Sequence, residues 1–161
     1  MENNRNNSGK LFEVPYKSNR YAKYLLDTEY DDILDFLHDG ELGGIFLERG
    51  IELTTFFGIK GERNGHRYQF DLVGLGTDMV IVVFLQLAIE REYFTEFLKQ
   101  MEHIRLCLTH NEKLSICGAI AYITDVENVS ETAEKLGIYV IKLAGNSAFI
   151  INQTDFIPRK F

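Results

Sequence analysis

The chain is 161 residues long, 45% hydrophobic and 25% charged, with a formal net charge of −7. That length suffices for one globular domain with a buried core, and the apolar fraction excludes a disordered polar chain. The acidity weighs against a nucleic-acid binder, because phosphate affinity rests on clustered Lys and Arg.

The basic residues are scattered: Arg63 and Arg67 lie beside Glu62, and the terminal Pro158-Arg159-Lys160-Phe161 is short. No apolar run approaches the ~18 residues needed to span a bilayer. Residues 1–10 are polar and lack the apolar stretch of a signal peptide. Residues 1–20 are therefore expected to be a flexible lead-in to a single domain over 21–161, in the cytoplasm. Cys107 and Cys117 are too few for a disulfide scaffold and lack metal-ligand spacing, so both are expected to be buried free thiols.

Tyr30, Ile33, Leu34 and Leu37 recur at helical spacing, which predicts a helix over 28–37 with Thr28 as N-cap and Gly40 as its stop. A second short helix is expected over 41–49, ended by Gly50. Residues 51–59 are rich in Thr, Phe and Ile and predict a strand. Asn64-Gly65 is a strong hairpin turn, and 68–73 alternates as a strand should. A turn over 74–78 leads into 79–87, an apolar run that suits a central strand covered on both faces. These three strands are expected to form an antiparallel meander.

Phe94, Phe97, Leu98, Met101, Ile104 and Leu108 mark a helix within 90–111. A buried strand over 114–124 follows, then a short helix over 128–136 ended by Gly137 and a strand over 138–143. Gly145-Asn146 turns the chain into 148–151. Strand, helix, strand, helix, strand implies two crossovers and a parallel portion of the sheet. The fold class is mixed α/β.

This order of helix, three-strand meander, helix and strand resembles the core of the PD-(D/E)XK, or restriction-endonuclease-like, nucleases. In that family an Asp lies on the second strand, and a Glu-x-Lys follows about a dozen residues later on the third. Asp71, in Tyr68-Gln69-Phe70-Asp71-Leu72-Val73, fits the first position. In Val82-Val83-Phe84-Leu85-Gln86-Leu87, Phe84 stands where the Glu would be and Gln86 where the Lys would be. Further segments resemble an uncharacterised bacterial subset of the superfamily: Gly118-Ala119-Ile120-Ala121-Tyr122, Leu136-Gly137-Ile138-Tyr139-Val140-Ile141, and Ile150-Ile151-Asn152 followed by Asp155-Phe156 and Arg159-Lys160-Phe161. The likeness covers roughly residues 40–161. It implies a restriction-endonuclease-like mixed sheet flanked by helices, preceded by an N-terminal helical arm.

In active members the two carboxylates hold a divalent metal that supplies hydroxide near neutral pH, and the Lys helps to orient the water. Mg²⁺ wants several oxygen ligands, so one carboxylate alone holds it weakly. Phe84 offers no ligand. Gln86 is the milder change, since some active relatives carry Gln there. The resemblance therefore implies that Asp71 and Gln86 are relict catalytic positions with no metal and no cofactor. The alternative is a Mg²⁺-dependent nuclease whose ligands have moved, with Asp71 joined by Glu90 or Glu92 and by Glu41, which matches a helix-one glutamate in part of the family. Acidic residues at a helix start are ordinary because they favour the helix dipole. Asp71 reads equally well as a strand carboxylate satisfied by local hydrogen bonds.

Other candidates are weaker. His103 and His110, seven apart, share a helix face that reads as solvated, and His38 and His66 have no partner pattern. Gly74-Leu75-Gly76 is a turn without the third glycine of a dinucleotide loop. The leading expectation is a catalytically inactive nuclease-like domain acting as a binding or assembly module. A protein partner or self-association is favoured over nucleic acid, with no membrane, the motive being an unusually apolar third strand. An unrelated α/β module with a small-ligand pocket at the strand ends is the third reading.

Overall fold

A computed structural model describes residues 27–108 and 113–161. The expected flexible lead-in over 1–20 and His110 lie outside these residues. Helix α1 (Asp27–Phe36) already includes Thr28, which is therefore not its N-cap. Its buried face is Tyr30 and Leu34, with Leu37 next in line, as the spacing predicts. Gly40 bends the chain rather than stopping it. A wide helical turn over Leu37–Glu41 kinks at Gly40, whose φ of 148° is open to glycine, and continues as α2 (Leu42–Leu47).

β1 (Leu53–Arg63), β2 (His66–Gly76) and β3 (Met79–Leu85) form the expected antiparallel meander. Asn64 and Gly65, at φ 54° and 79°, make the tight turn between β1 and β2. β3 pairs in parallel with β4 (Ser115–Tyr122), and β4 pairs in parallel with β5 (Tyr139–Ala144). β5 then pairs antiparallel with β6 (Ser147–Ile150). The result is one mixed, open six-stranded sheet whose strands lie in sequence order.

α3 (Arg91–Glu102) and α4 (Ile104–Leu108) connect β3 to β4, and α5 (Val129–Lys135) connects β4 to β5. The single helix expected over 90–111 is broken at His103, whose backbone leaves the helical region. Both crossovers cover the same face, where Phe94, Phe97, Met101, Val129 and Ala133 pack on Val80, Val82, Ile120 and Val140. On the other face Tyr30, Leu34, Leu42 and Phe46 pack on Leu72, Ile81, Val83, Leu85 and Ile141.

β3 is therefore core on both sides. Its apolar sequence reflects a central strand, and the inference of an exposed contact surface there is corrected: Ile81 and Val82 have no solvent exposure. Because the strands never reverse order, the sheet has no switch point of the kind at which doubly wound folds open a ligand crevice.

The tail packs back onto the sheet. Asn152, buried, accepts the Val140 N–H at 2.7 Å through Oδ1 and donates to the Ile138 carbonyl at 3.5 Å. Phe156 meets Tyr139 edge to face at 5.1 Å, and the Phe161 N–H donates to the Ile116 carbonyl at 2.8 Å. Gly137 sits at φ 82°, and a Cβ there would lie 2.6 Å from that of Arg159. The terminal segments that carried the resemblance thus hold the β5 end of the sheet together.

Candidate functional site

The positions expected to share a cleft are Asp71, Phe84 and Gln86, and a bulge decides where they point. Phe57 pairs with Val73 and Ile59 with Phe70, so the single residue Gly58 on β1 faces both Asp71 and Leu72 on β2. A Cβ on Gly58 would lie 3.0 Å from the Asp71 carbonyl oxygen, so a larger residue there would require the backbone to give by a few tenths of an ångström. On β2 and β3, Leu72 pairs with Val83 and Val73 with Val82. Strict alternation would set Asp71 level with Phe84 on the α3 face. The bulge turns Asp71 over to join Leu72 on the α1 face.

There the Tyr30 hydroxyl donates to Asp71 Oδ2 at 2.6 Å, and Gln69 Nε2 donates to Oδ1 at 3.3 Å. Tyr30, only 1% exposed, also reaches the Leu85 carbonyl at 3.4 Å. Phe84 faces the opposite way and stacks on Phe97 of α3, with ring centroids 5.2 Å apart and planes 14° apart. Gln86, 3% exposed, accepts the backbone N–H of Glu90 at 3.0 Å through Oε1 and so steadies the entry to α3. The expected cluster is split between two faces. The β3 side chains that do share the face of Asp71 are Val83 and Leu85, both buried and apolar.

The relocated ligand set is not assembled either. Glu90 precedes α3 on the far face. Glu92 lines an open groove of about 620 Å³ along the outside of α3, with Arg91, Glu96, Lys99 and Glu127. Glu41 accepts the Ala148 N–H of β6 at 3.3 Å. β6 lies four strands from β2, about 19 Å at the ordinary interstrand spacing. Among the described residues no group of three or more His, Cys, Asp or Glu is placed to hold a metal ion. The residues present do not fit a Mg²⁺ centre built on Asp71, Glu90 and Glu41.

No protein-family model matches the chain, and comparison with curated proteins and with solved structures returns no match. The site therefore has to be read from its own chemistry.

Several groups take structural roles that the sequence did not announce. Glu41 on the Ala148 N–H and Arg49 on the Ile150 carbonyl at 3.0 Å occupy outward groups of edge strand β6, which blocks it as a template for another strand. Asp125 accepts the Val129 and Ser130 N–H groups at 2.8 Å each and caps α5. Burial raises its carboxyl, but hydrogen bonds from Ser130 and Val129 outweigh that and hold it below the usual carboxylate range. His66 and His103 stack with ring centroids 4.2 Å apart. Neither a pairing nor a pattern in the sequence announces that contact, because a hairpin and a helix end meet only through the fold.

Cys117 is buried and Cys107 half-buried, a partial correction to the expectation for Cys107, and burial pushes both thiols up to about 11. A second groove, about 480 Å³, lies on the β1–β2 hairpin beside Lys60, Arg67, Tyr68 and Gln100. Both grooves open broadly and are walled by charged side chains, unlike the enclosed apolar sites that small ligands favour. Among the described residues no helix is long and apolar enough to cross a membrane.

Exposed large apolar side chains surround β6. Phe149 and Ile151 on and just after the strand are 52% and 51% exposed, and Leu47 on α2, which packs against β6, is 59% exposed. Ile157 in the tail is more exposed still.

Proposed function

We propose that this protein is a binding or assembly module on a restriction-endonuclease-like scaffold whose nuclease centre has been lost. Asp71 and Phe84 pointing to opposite faces of the sheet is the observation that carries this reading. The element order and strand pairing agree with the expected core, which supports the scaffold half of the proposal. Loss of the centre goes beyond replacement of a Glu by Phe84. The strand carrying Asp71 is bulged, and the carboxylate is engaged by Tyr30.

The contact surface is the apolar rim at β6. Its partner is a protein, and contact is made through side chains because Glu41 and Arg49 occupy the strand edge. Mg²⁺ or Mn²⁺ at millimolar concentration leaves the melting temperature unchanged, and the purified protein leaves plasmid and single-stranded DNA intact. Metal-dependent cleavage that disappears in Asp71→Ala overturns the proposal. Sedimentation over a concentration series reads whether a second copy is the partner, with Phe149→Asp expected to weaken association. Wild-type association in that variant removes the β6 rim from the interface.

A further inference from the structure

We propose that the outer end of β1, at the tip of the β1–β2 hairpin, is a docking edge for a short acidic segment of a partner protein, added as an extra strand. This surface is separate from the β6 rim and independent of the functional reading above. β2 pairs with β3 only through residues 72–75, so beyond the bulge the hairpin is a two-stranded ribbon with β1 at the margin of the sheet. The ribbon is rooted by Ile59 and Phe70, buried in the α3-side core, and by the Gln69 N–H, which donates to Gln100 Oε1 at 3.1 Å. Along β1, Gly58 and Ile59 are buried, whereas Gly61, Glu62 and Arg63 are exposed. Among the described residues no hydrogen bond from outside the hairpin reaches the backbone of 60–63. The opposite margin is closed, because Glu41 and Arg49 occupy outward groups of β6. An open strand end presents N–H and C=O groups at the spacing of another backbone, and the occupant these groups fit is an extended peptide.

The side chains of the tip set the charge of that peptide. Lys60, Arg63 and Arg67 stand there against one carboxylate, Glu62, in a chain of net charge −7. Glu62 is engaged by Arg67 at 3.8 Å, while Lys60 and Arg63 make no salt bridge among the described residues. Strand alternation puts Lys60 on one face of β1 and Arg63 on the other, so a strand laid along this edge meets a cation on either side. Carboxylates three residues apart in an extended segment answer both. The groove of about 480 Å³ beside Lys60 continues onto Tyr68, Gln69 and Gln100 and offers the added strand polar neighbours. A single-stranded nucleic acid fits less well. Glu62 stands among the cations, and Tyr68, the aromatic ring lining the groove, is already stacked with Phe70.

The probe is fluorescein-labelled decaglutamate, read by anisotropy with the full chain at low ionic strength. Binding is expected, and it weakens as salt rises. Lys60→Glu with Arg63→Glu is expected to weaken it by about tenfold, from the loss of two exposed ion pairs. Arg63→Glu alone, at the exposed tip, costs less. Decaglutamate N-methylated at alternate residues keeps its charge but loses half of its backbone donors, and it is expected to bind less tightly than the unmodified peptide. Amides of residues 60–63 gain protection from hydrogen exchange on binding, and those of β4 and β5 are unchanged. No binding of decaglutamate, or equal binding by the charge-reversed variants, overturns the proposal. Equal affinity for the methylated peptide leaves charge alone and overturns the added strand. Tighter binding of a labelled deoxythymidine decamer makes the tip a nucleic-acid surface and overturns the acidic peptide as its partner.

Discussion

On the α1 face of the sheet, Asp71 and Glu41 bind groups 41 and 107 residues away, Tyr30 and the backbone of Ala148. On the α3 face, Gln86 and Asp125 reach only four or five residues along the chain, to the N–H groups at the starts of α3 and α5. Of these four side chains, the two on the α1 face are tertiary tethers and the two on the α3 face are local caps. This difference accounts for the residues that resemble a nuclease centre. Asp71 and Glu41 sit at ligand-like positions yet are spent on holding α1 and β6, while Gln86 keeps its place beside the third strand by serving a helix start.

The sharpest attempt to break that comparison is to rebuild the expected motif. Phe84→Glu with Gln86→Lys supplies the Glu and Lys of the motif that the sequence resembles, but with the Glu on the face opposite Asp71. The Glu replaces a ring stacked on Phe97, and the Lys removes the acceptor for Glu90. The double variant is expected to lose about 3 kcal/mol in chemical denaturation, from lost aromatic burial and a carboxylate placed against apolar neighbours. Mg²⁺ is expected to restore none of it. A variant stabilised by Mg²⁺ would show that the three positions can meet after all.

Gly58→Ala tests the bulge itself. The added Cβ would stand 3.0 Å from the Asp71 carbonyl and 3.4 Å from that of Phe70, backbone atoms with little freedom to yield. A loss of about 2 kcal/mol is expected, within the usual range for overpacking. Should stability hold, the strand has re-registered. In that case alternation returns Asp71 to the α3 face, and its hydrogen bond with Tyr30 vanishes from the spectrum of slowly exchanging hydroxyls.

Much of the fold could be read from the residues because period and punctuation agreed. The 79–87 run, the Asn64-Gly65 turn and the stops at Gly50, Gly137 and Gly145 all mark what they were expected to mark, and each of these glycines has positive φ. Where Asp71 points could not be read. A one-residue bulge flips a side chain across the sheet while leaving the hydrophobic alternation on either side intact. The only local trace is Gly58, and a lone strand glycine equally well marks a tight bend or a close approach of another backbone. The edge-blocking roles of Glu41, named in the sequence only as a possible ligand, and of Arg49 could not be read for a related reason: their partners are backbone groups more than a hundred residues away.

A smaller effect separates the tether from its surroundings. Tyr30→Phe, Asp71→Asn and the pair together form a double-mutant cycle across the 2.6 Å bond. A coupling of about 1 kcal/mol is expected, as for a hydrogen bond to a charged group that is partly offset by lost hydration. Zero coupling would mean that Asp71 is held by other neighbours and that the α1 face is less tethered than the geometry indicates.

The cap on the α3 face gives the smallest effect and a different signature, a pH limb. Asp125 is held below the ordinary carboxylate range, so its contribution is fully present above about pH 4, where an unfolded Asp is ionised. The contribution is lost as pH falls through the lowered folded value, because protonation removes the negative charge and converts one of the two carboxylate oxygens that accept the Val129 and Ser130 N–H groups into a hydroxyl. Asp125→Asn keeps one acceptor and removes the titration. It is expected to cost under about 1 kcal/mol near neutral pH, as for a modest change at a helix cap, and to flatten the stability profile below about pH 4. If the acid limb is unchanged in Asp125→Asn, the charge of this cap does not shape the profile, and the pH signature assigned to the cap face is lost.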